Sequence, residues 1–122
     1  MNKLLKTTAV MAEQKPVLKV ELPAGALRCR DDVNPVSEGL QWIVDQHPGE
    51  NVLLDFSAVV SMDSGVLGGI IRFRRKFTPS GGKIRLFGMQ REIREEFKIT
   101  SLDRVFEIFN SEAEALAAWA AS

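Results

Sequence analysis

Apolar and polar positions along this chain alternate between a period of two and a period near 3.6, in an order that predicts strands and helices taking turns. From Pro16 the run VLKVEL sets Val17, Leu18, Val20 and Leu22 against Lys19 and Glu21, a strand with one exposed face. Pro23-Ala24-Gly25 supplies a turn, and a second short strand is predicted over 26–30. Asn34-Pro35 is a cap residue followed by proline at the first helical position. Val36, Leu40, Ile43 and Val44 then form one apolar stripe that His47-Pro48-Gly49 ends. Val52 to Phe56 is almost wholly apolar, as a central strand covered on both faces would be.

After a short connection a helix opens at Asp63-Ser64-Gly65. Val66, Ile70, Phe73 and Phe77 repeat along it with Leu67 and Ile71 alongside, while Arg72, Arg75 and Lys76 fall away from that stripe. Residues 78–82, Thr-Pro-Ser-Gly-Gly, break it. A strand is predicted over 84–87, a charged helix over 91–98 with Ile93 and Phe97 inward, and a last strand over 105–109. Ser111-Glu112-Ala113-Glu114 reads as a capping box ahead of an Ala-rich helix through Leu116 and Trp119. This alternation predicts an α/β domain with helices covering its sheet.

Length and composition fit one such domain: 122 residues, 45% hydrophobic and 26% charged. The first 16 residues carry two early lysines and an Ala-x-x-Ala flavour. Their apolar run is short and broken by Thr7 and Thr8, unlike a secretory segment. Residues 1–14 are therefore expected to form a flexible extension and 15–122 the domain. No run approaches the roughly 18 apolar residues of a membrane span.

Sixteen basic residues balance sixteen acidic ones, which gives no general attraction to nucleic acid or an anionic membrane. One cysteine, Cys29, and one histidine, His47, supply neither a disulfide framework nor a zinc site. A cytoplasmic protein with no metal and no cofactor is expected.

The candidate chemistry gathers at the start of the helix after Asp63. A small hydroxyl there sits among free N–H groups, where a phosphate is favoured. Asp63 itself reads first as a helix cap. An enzyme built on Ser64 lacks support, because Ser61 to Gly65 does not form a G-x-S-x-G elbow and no spacing ties His47 to Ser64. Gly65, Gly68 and Gly69 match neither a dinucleotide loop nor a P-loop and suit close helix packing. The basic run Arg72, Arg74, Arg75 and Lys76 reads as a solvated face or as a docking face for a partner.

DFSAVVSMDSGVLGGIIRFRRKF resembles the signature of the STAS domain, the fold of bacterial anti-sigma factor antagonists. Asp55-Phe56-Ser57, Met62-Asp63-Ser64, Leu67 and Gly68 occupy matching places. The likeness continues through the Gly81-Gly82 turn, the strand from Ile84 to Phe87, residues 99–106 and the helix from Ser111 to Leu116, covering about 16–119.

The resemblance implies a STAS-like fold, a small mixed β-sheet of about four to five strands flanked by about four helices, and a binding module that is not an enzyme. It implies an antagonist that binds an anti-sigma factor bearing a GHKL-type serine kinase domain, releases a sigma factor, and is switched off by phosphorylation, with a phosphatase as counterpart. The expected partner surface is Ser64, Gly65, Val66, Gly68, Arg72, Arg75 and Lys76, with Asp63 fixing the loop, on a monomer or weak dimer.

One departure stands out. Aligned without a gap, the family's phosphoacceptor position falls on Gly65, so Ser64 is the candidate acceptor; otherwise the chain stays in its binding-competent form. The hydroxyl followed directly by glycine in Asp63-Ser64-Gly65-Val66-Leu67 also resembles STAS subunits of lipid-transport ABC complexes. That gives the alternative function of a non-catalytic subunit that docks on the transporter and promotes its assembly.

Overall fold

In the computed structural model, residues 5–29 and 35–121 are described. The helix start expected at Asn34 and the end of the strand expected at Arg30 lie outside them. Elements follow in the order β1 (Lys6–Ala12), β2 (Lys15–Glu21), β3 (Gly25–Leu27), α1 (Pro35–Gln46), β4 (Asn51–Asp55), β5 (Val59–Met62) and α2 (Ser64–Phe77). Next come β6 (Lys83–Phe87), α3 (Arg91–Ile99), β7 (Glu107–Phe109) and α4 (Glu112–Ala120). Single 3-10 turns at Thr78–Ser80 and Leu102–Arg104 complete the connections.

Five strands form a mixed sheet in the order β1-β2-β4-β6-β7. β1 runs antiparallel to β2, and every other pairing in the sheet is parallel. β4 is central, and its three inner residues Val52, Leu53 and Leu54 are fully buried. Alternation along the strand sends Val52 and Leu54 to one face and Leu53 to the other. The first face carries the main core with α1, α2 and α3, including Val36, Leu40, Ile43, Ile70, Phe73, Ile93 and Phe97. Phe97 meets Phe56 edge-on at 6.1 Å and Phe106 at 6.0 Å between ring centroids. The second face holds a smaller cluster of Ala12, Val17, Leu53, Phe87, Ala115 and Trp119 beneath α4. Both helical stripes and the continuous apolar run of β4 thus fold as their periodicity dictates. No helix among the described residues is long and apolar enough to cross a membrane.

The loose extension expected over 1–14 is corrected for residues 6–12, which pair with all seven residues of β2 in unbroken register. Thr7, Thr8 and Ala9 give that stretch little apolar periodicity, and the backbone ladder to β2 holds it. The connection after Phe56 is also more ordered than expected. Val59–Met62 pairs parallel with β3 in a separate two-stranded sheet, and β3 itself spans only Gly25–Leu27. The expected strand over 105–109 is confined to Glu107–Phe109, because Leu102–Arg104 winds into a 3-10 turn. Trp119 packs internally and is 1% exposed.

Candidate functional site

Pairing of β3 with β5 brings two segments 34 residues apart to the start of α2. Leu27 sits opposite Met62, so Arg28 and Cys29 emerge beside Asp63. The Asp63 backbone N–H donates to the Leu27 carbonyl at 3.1 Å. Its carboxylate accepts two further bonds, from the Val66 N–H at 2.9 Å and from the Cys29 N–H at 2.9 Å. The first is the helix cap that the sequence predicts. The second clamps the end of β3 to α2, and local spacing carries no mark of it. These two backbone N–H groups hold the Asp63 carboxyl below its ordinary range, with the Arg28 guanidinium a smaller contributor.

Gly65 follows from the same clamp. A Cβ at this position would lie 2.8 Å from the Cys29 Cβ and 3.3 Å from its sulfur. Real side chains do not approach so closely, and Cys29 is held in place through its own N–H. The corner is therefore built for glycine where the resemblance expects a hydroxyl. Cys29 is half-buried and packs against the main core.

Ser64 is exposed at the first helical position. Counting along α2, Ser64, Gly68, Arg72 and Arg75 share one side of the helix. Arg72, Arg75 and Lys76 are exposed and Gly68 is half-buried. The Lys76 ammonium donates to Gln41 Oε1 of α1 at 3.0 Å, and the seam between the helices is lined by Leu40, Val44, Gly69 and Phe73. Val66 departs from the expected partner surface. It is fully buried, because it lies on the opposite side of α2 among the core residues.

Upstream, Asp55 Oδ1 accepts the Ser57 N–H at 2.8 Å, which closes the turn after β4. Gly88 crosses this turn with φ +79°, and a Cβ there would meet Ser57 Oγ at 2.4 Å. His47 is engaged elsewhere, bonded to Glu50 Oε2 at 2.6 Å and packed on Trp42 at the end of α1. Among the described residues, no three His, Cys, Asp or Glu side chains are grouped to hold a metal. The arrangement offers a rigid exposed corner and a basic helix face, features that suit recognition of another protein.

Comparison with known proteins agrees with this architecture. A family model described as the STAS domain matches residues 25–115. A protein of Thermotoga neapolitana described as an anti-sigma factor antagonist homolog is 33% identical over 79 residues, covering 62% of this chain and 70% of its own length. Its Thermotoga maritima counterpart is 30% identical over the same extent. Among solved structures, an anti-sigma-factor antagonist (STAS) domain protein from Planctomyces limnophilus superposes with a TM-score of 0.80 at 21% identity, covering 97% of this chain and 98% of that one. The unphosphorylated anti-sigma factor antagonist SpoIIAA does so with a TM-score of 0.64 at 16% identity, covering 91% and 92%.

Proposed function

The chain belongs to the STAS domain family, and from that premise we propose that it is an anti-sigma factor antagonist: it binds a cognate anti-sigma factor carrying a GHKL-type serine kinase domain and so releases a sigma factor. The exposed face of α2 carries this reading. It presents Ser64 at the capped corner and Arg72, Arg75 and Lys76 farther along, on a helix whose opposite side is fixed in the core. Similarity to proteins described as anti-sigma factor antagonists supports it.

Ser64 is the acceptor in this proposal. A phosphate there adds about 1.5 to 2 negative charges. The helix N-terminus tolerates that charge, whereas an interface fitted around a neutral hydroxyl must desolvate it. Phosphorylation accordingly ends partner binding, and a phosphatase restores it. Binding of the kinase partner to Ser64→Ala and Ser64→Asp tests the switch. The alanine variant is expected to bind as the wild type does and the aspartate variant at least about tenfold more weakly. Equal binding of the two overturns a switch at Ser64.

Gly65 favours one second reading. The hydroxyl-glycine pair is the feature shared with transport-complex STAS subunits, and the Cys29 contact makes glycine a structural requirement here. In that reading the same α2 face docks on a transporter ATPase. Co-purification of transporter subunits in place of a kinase distinguishes it.

A further inference from the structure

A cleft of about 660 Å³ opens between α3, the 3-10 turn at Leu102–Arg104 and β7, a size within the roughly 300–1,000 Å³ usual for small-molecule sites. Met89 and Ile108, both half-buried and packed against the main core, supply its apolar surface. Arg91, Arg94 and Lys98 of α3 line it as well, with Asp103 of the 3-10 turn. Spacings of three and four residues put the three cations on one side of α3, while Ile93 and Phe97 are buried in the core. The cleft shares no residue with the exposed face of α2.

The charges of this cleft do not cancel. Arg91 is paired with Glu95 at 3.4 Å, and Arg94 donates to Asn110 Oδ1, a neutral acceptor. Among the described residues no carboxylate forms an ion pair with Arg94 or Lys98, and no cation forms one with Asp103. Two unmatched cations against one unmatched carboxylate leave a net charge of +1. Helix stability does not account for the arginines. Arg91 opens α3, and Arg94 closes its first turn by donating its N–H to the Gln90 carbonyl at 3.0 Å; acidic residues are the ones favoured at this end of a helix dipole.

We propose that this cleft binds a small organic monoanion, a carboxylate on an apolar or aromatic body. The carboxylate meets the Arg94 guanidinium and the Lys98 ammonium, and its single charge cancels the excess. The body lies on Met89 and Ile108, where the apolar surface it removes from water adds to the affinity. A phosphate monoester carries about 1.5 to 2 negative charges at neutral pH and would leave the cleft negative. Asp103 thus selects against the second charge.

Nuclear magnetic resonance titration of the full chain with 2-naphthoate tests this. Acetate serves as the head alone, 2-naphthalenemethanol as the body alone and 2-naphthyl phosphate as the more highly charged head. 2-Naphthoate is expected to shift the amide resonances of residues 89–98 and 103–108 saturably, at about millimolar strength. Acetate and the alcohol should bind at least about tenfold more weakly, and the phosphate no more tightly. The double variant Arg94→Gln/Lys98→Gln should weaken 2-naphthoate about tenfold or more with the far-ultraviolet circular dichroism unchanged. The comparison of the four compounds on the wild type decides the matter if that variant proves poorly folded. No saturable shift, shifts confined to other residues, equal binding of acetate or the alcohol, tighter binding of the phosphate, or a folded double variant that binds 2-naphthoate at full strength overturns the proposal.

Discussion

Gly65 is fitted against Cys29: a Cβ on the glycine would lie 2.8 Å from the Cβ of the cysteine, whose backbone N–H is in turn bound by Asp63. Three residues thus fix one corner, and the position at which the STAS likeness places a phosphoacceptor has no room for a side chain. Gly65→Ser is expected to lower stability by about 1–3 kcal/mol, the usual cost of overpacking a rigid contact. Cys29→Gly should recover part of that loss and Cys29→Ala, which keeps the Cβ, should not. Denaturant midpoints of the four proteins check this, and equal behaviour of the two Cys29 variants contradicts the contact.

Asp63 predicts a dependence on acid. Backbone N–H bonds lower its carboxyl from an ordinary value of 3.8, so the folded state favours the ionised form. Its contribution is fully present above that ordinary value and is lost as pH falls through the lower folded-state value. Asp63→Asn should therefore be less stable than the wild type at neutral pH, with the gap narrowing as the solution is acidified below 3.8. Thermal melts across that range measure it; a gap of constant size would contradict the assignment.

Much of this architecture is legible in the sequence because it is local. The stripe Val66, Ile70, Phe73, Phe77 and the run Val52 to Phe56 declare their elements by period, and Ser111 accepts the Glu114 N–H at 3.2 Å as its motif predicts. Glu114 departs from that motif only in bonding the Asn110 N–H one residue earlier. Illegible features depend on distant partners. β1 exists through its ladder to β2, and its apolar residues, Ala9 to Ala12, run together without the two-residue period that announces a strand. β5 is a strand because β3 lies beside it. The Asp63 cap could be read from three residues, whereas its bond to Cys29 crosses 34 positions and follows only from that pairing.

Arg85 offers a test of the second sheet face. Its guanidinium is buried, lies 4.6 Å from the Trp119 ring centroid and donates to Glu107, and its Nη1 finds no hydrogen-bond partner among the described residues. Removing the carboxylate leaves a buried charge with little compensation, whereas an apolar chain of similar length fills the same space. Glu107→Ala is expected to cost about 1–2 kcal/mol and Arg85→Met less than about 1 kcal/mol. Urea denaturation of the two variants checks the order, and the reverse order contradicts it.

The basic face of α2 predicts how the proposed partner is met. Arg72 and Arg75 are exposed, on the side of the helix that Ser64 opens. Reversing both, Arg72→Glu with Arg75→Glu, should slow association about tenfold at low salt, and the difference should shrink as ionic strength rises. Stopped-flow or surface-based kinetics at two salt concentrations read this directly. An unchanged association rate excludes these arginines from the encounter.

We propose that this STAS domain antagonises an anti-sigma factor through the α2 face. The most direct test is to capture the tagged chain from its native cells after gentle crosslinking, beside the Arg72→Glu/Arg75→Glu variant, and to identify the partners by mass spectrometry. Recovery of a GHKL-type serine kinase with the wild type and its depletion with the variant are expected. Recovery of transporter subunits in its place, or of the kinase equally with both proteins, contradicts it.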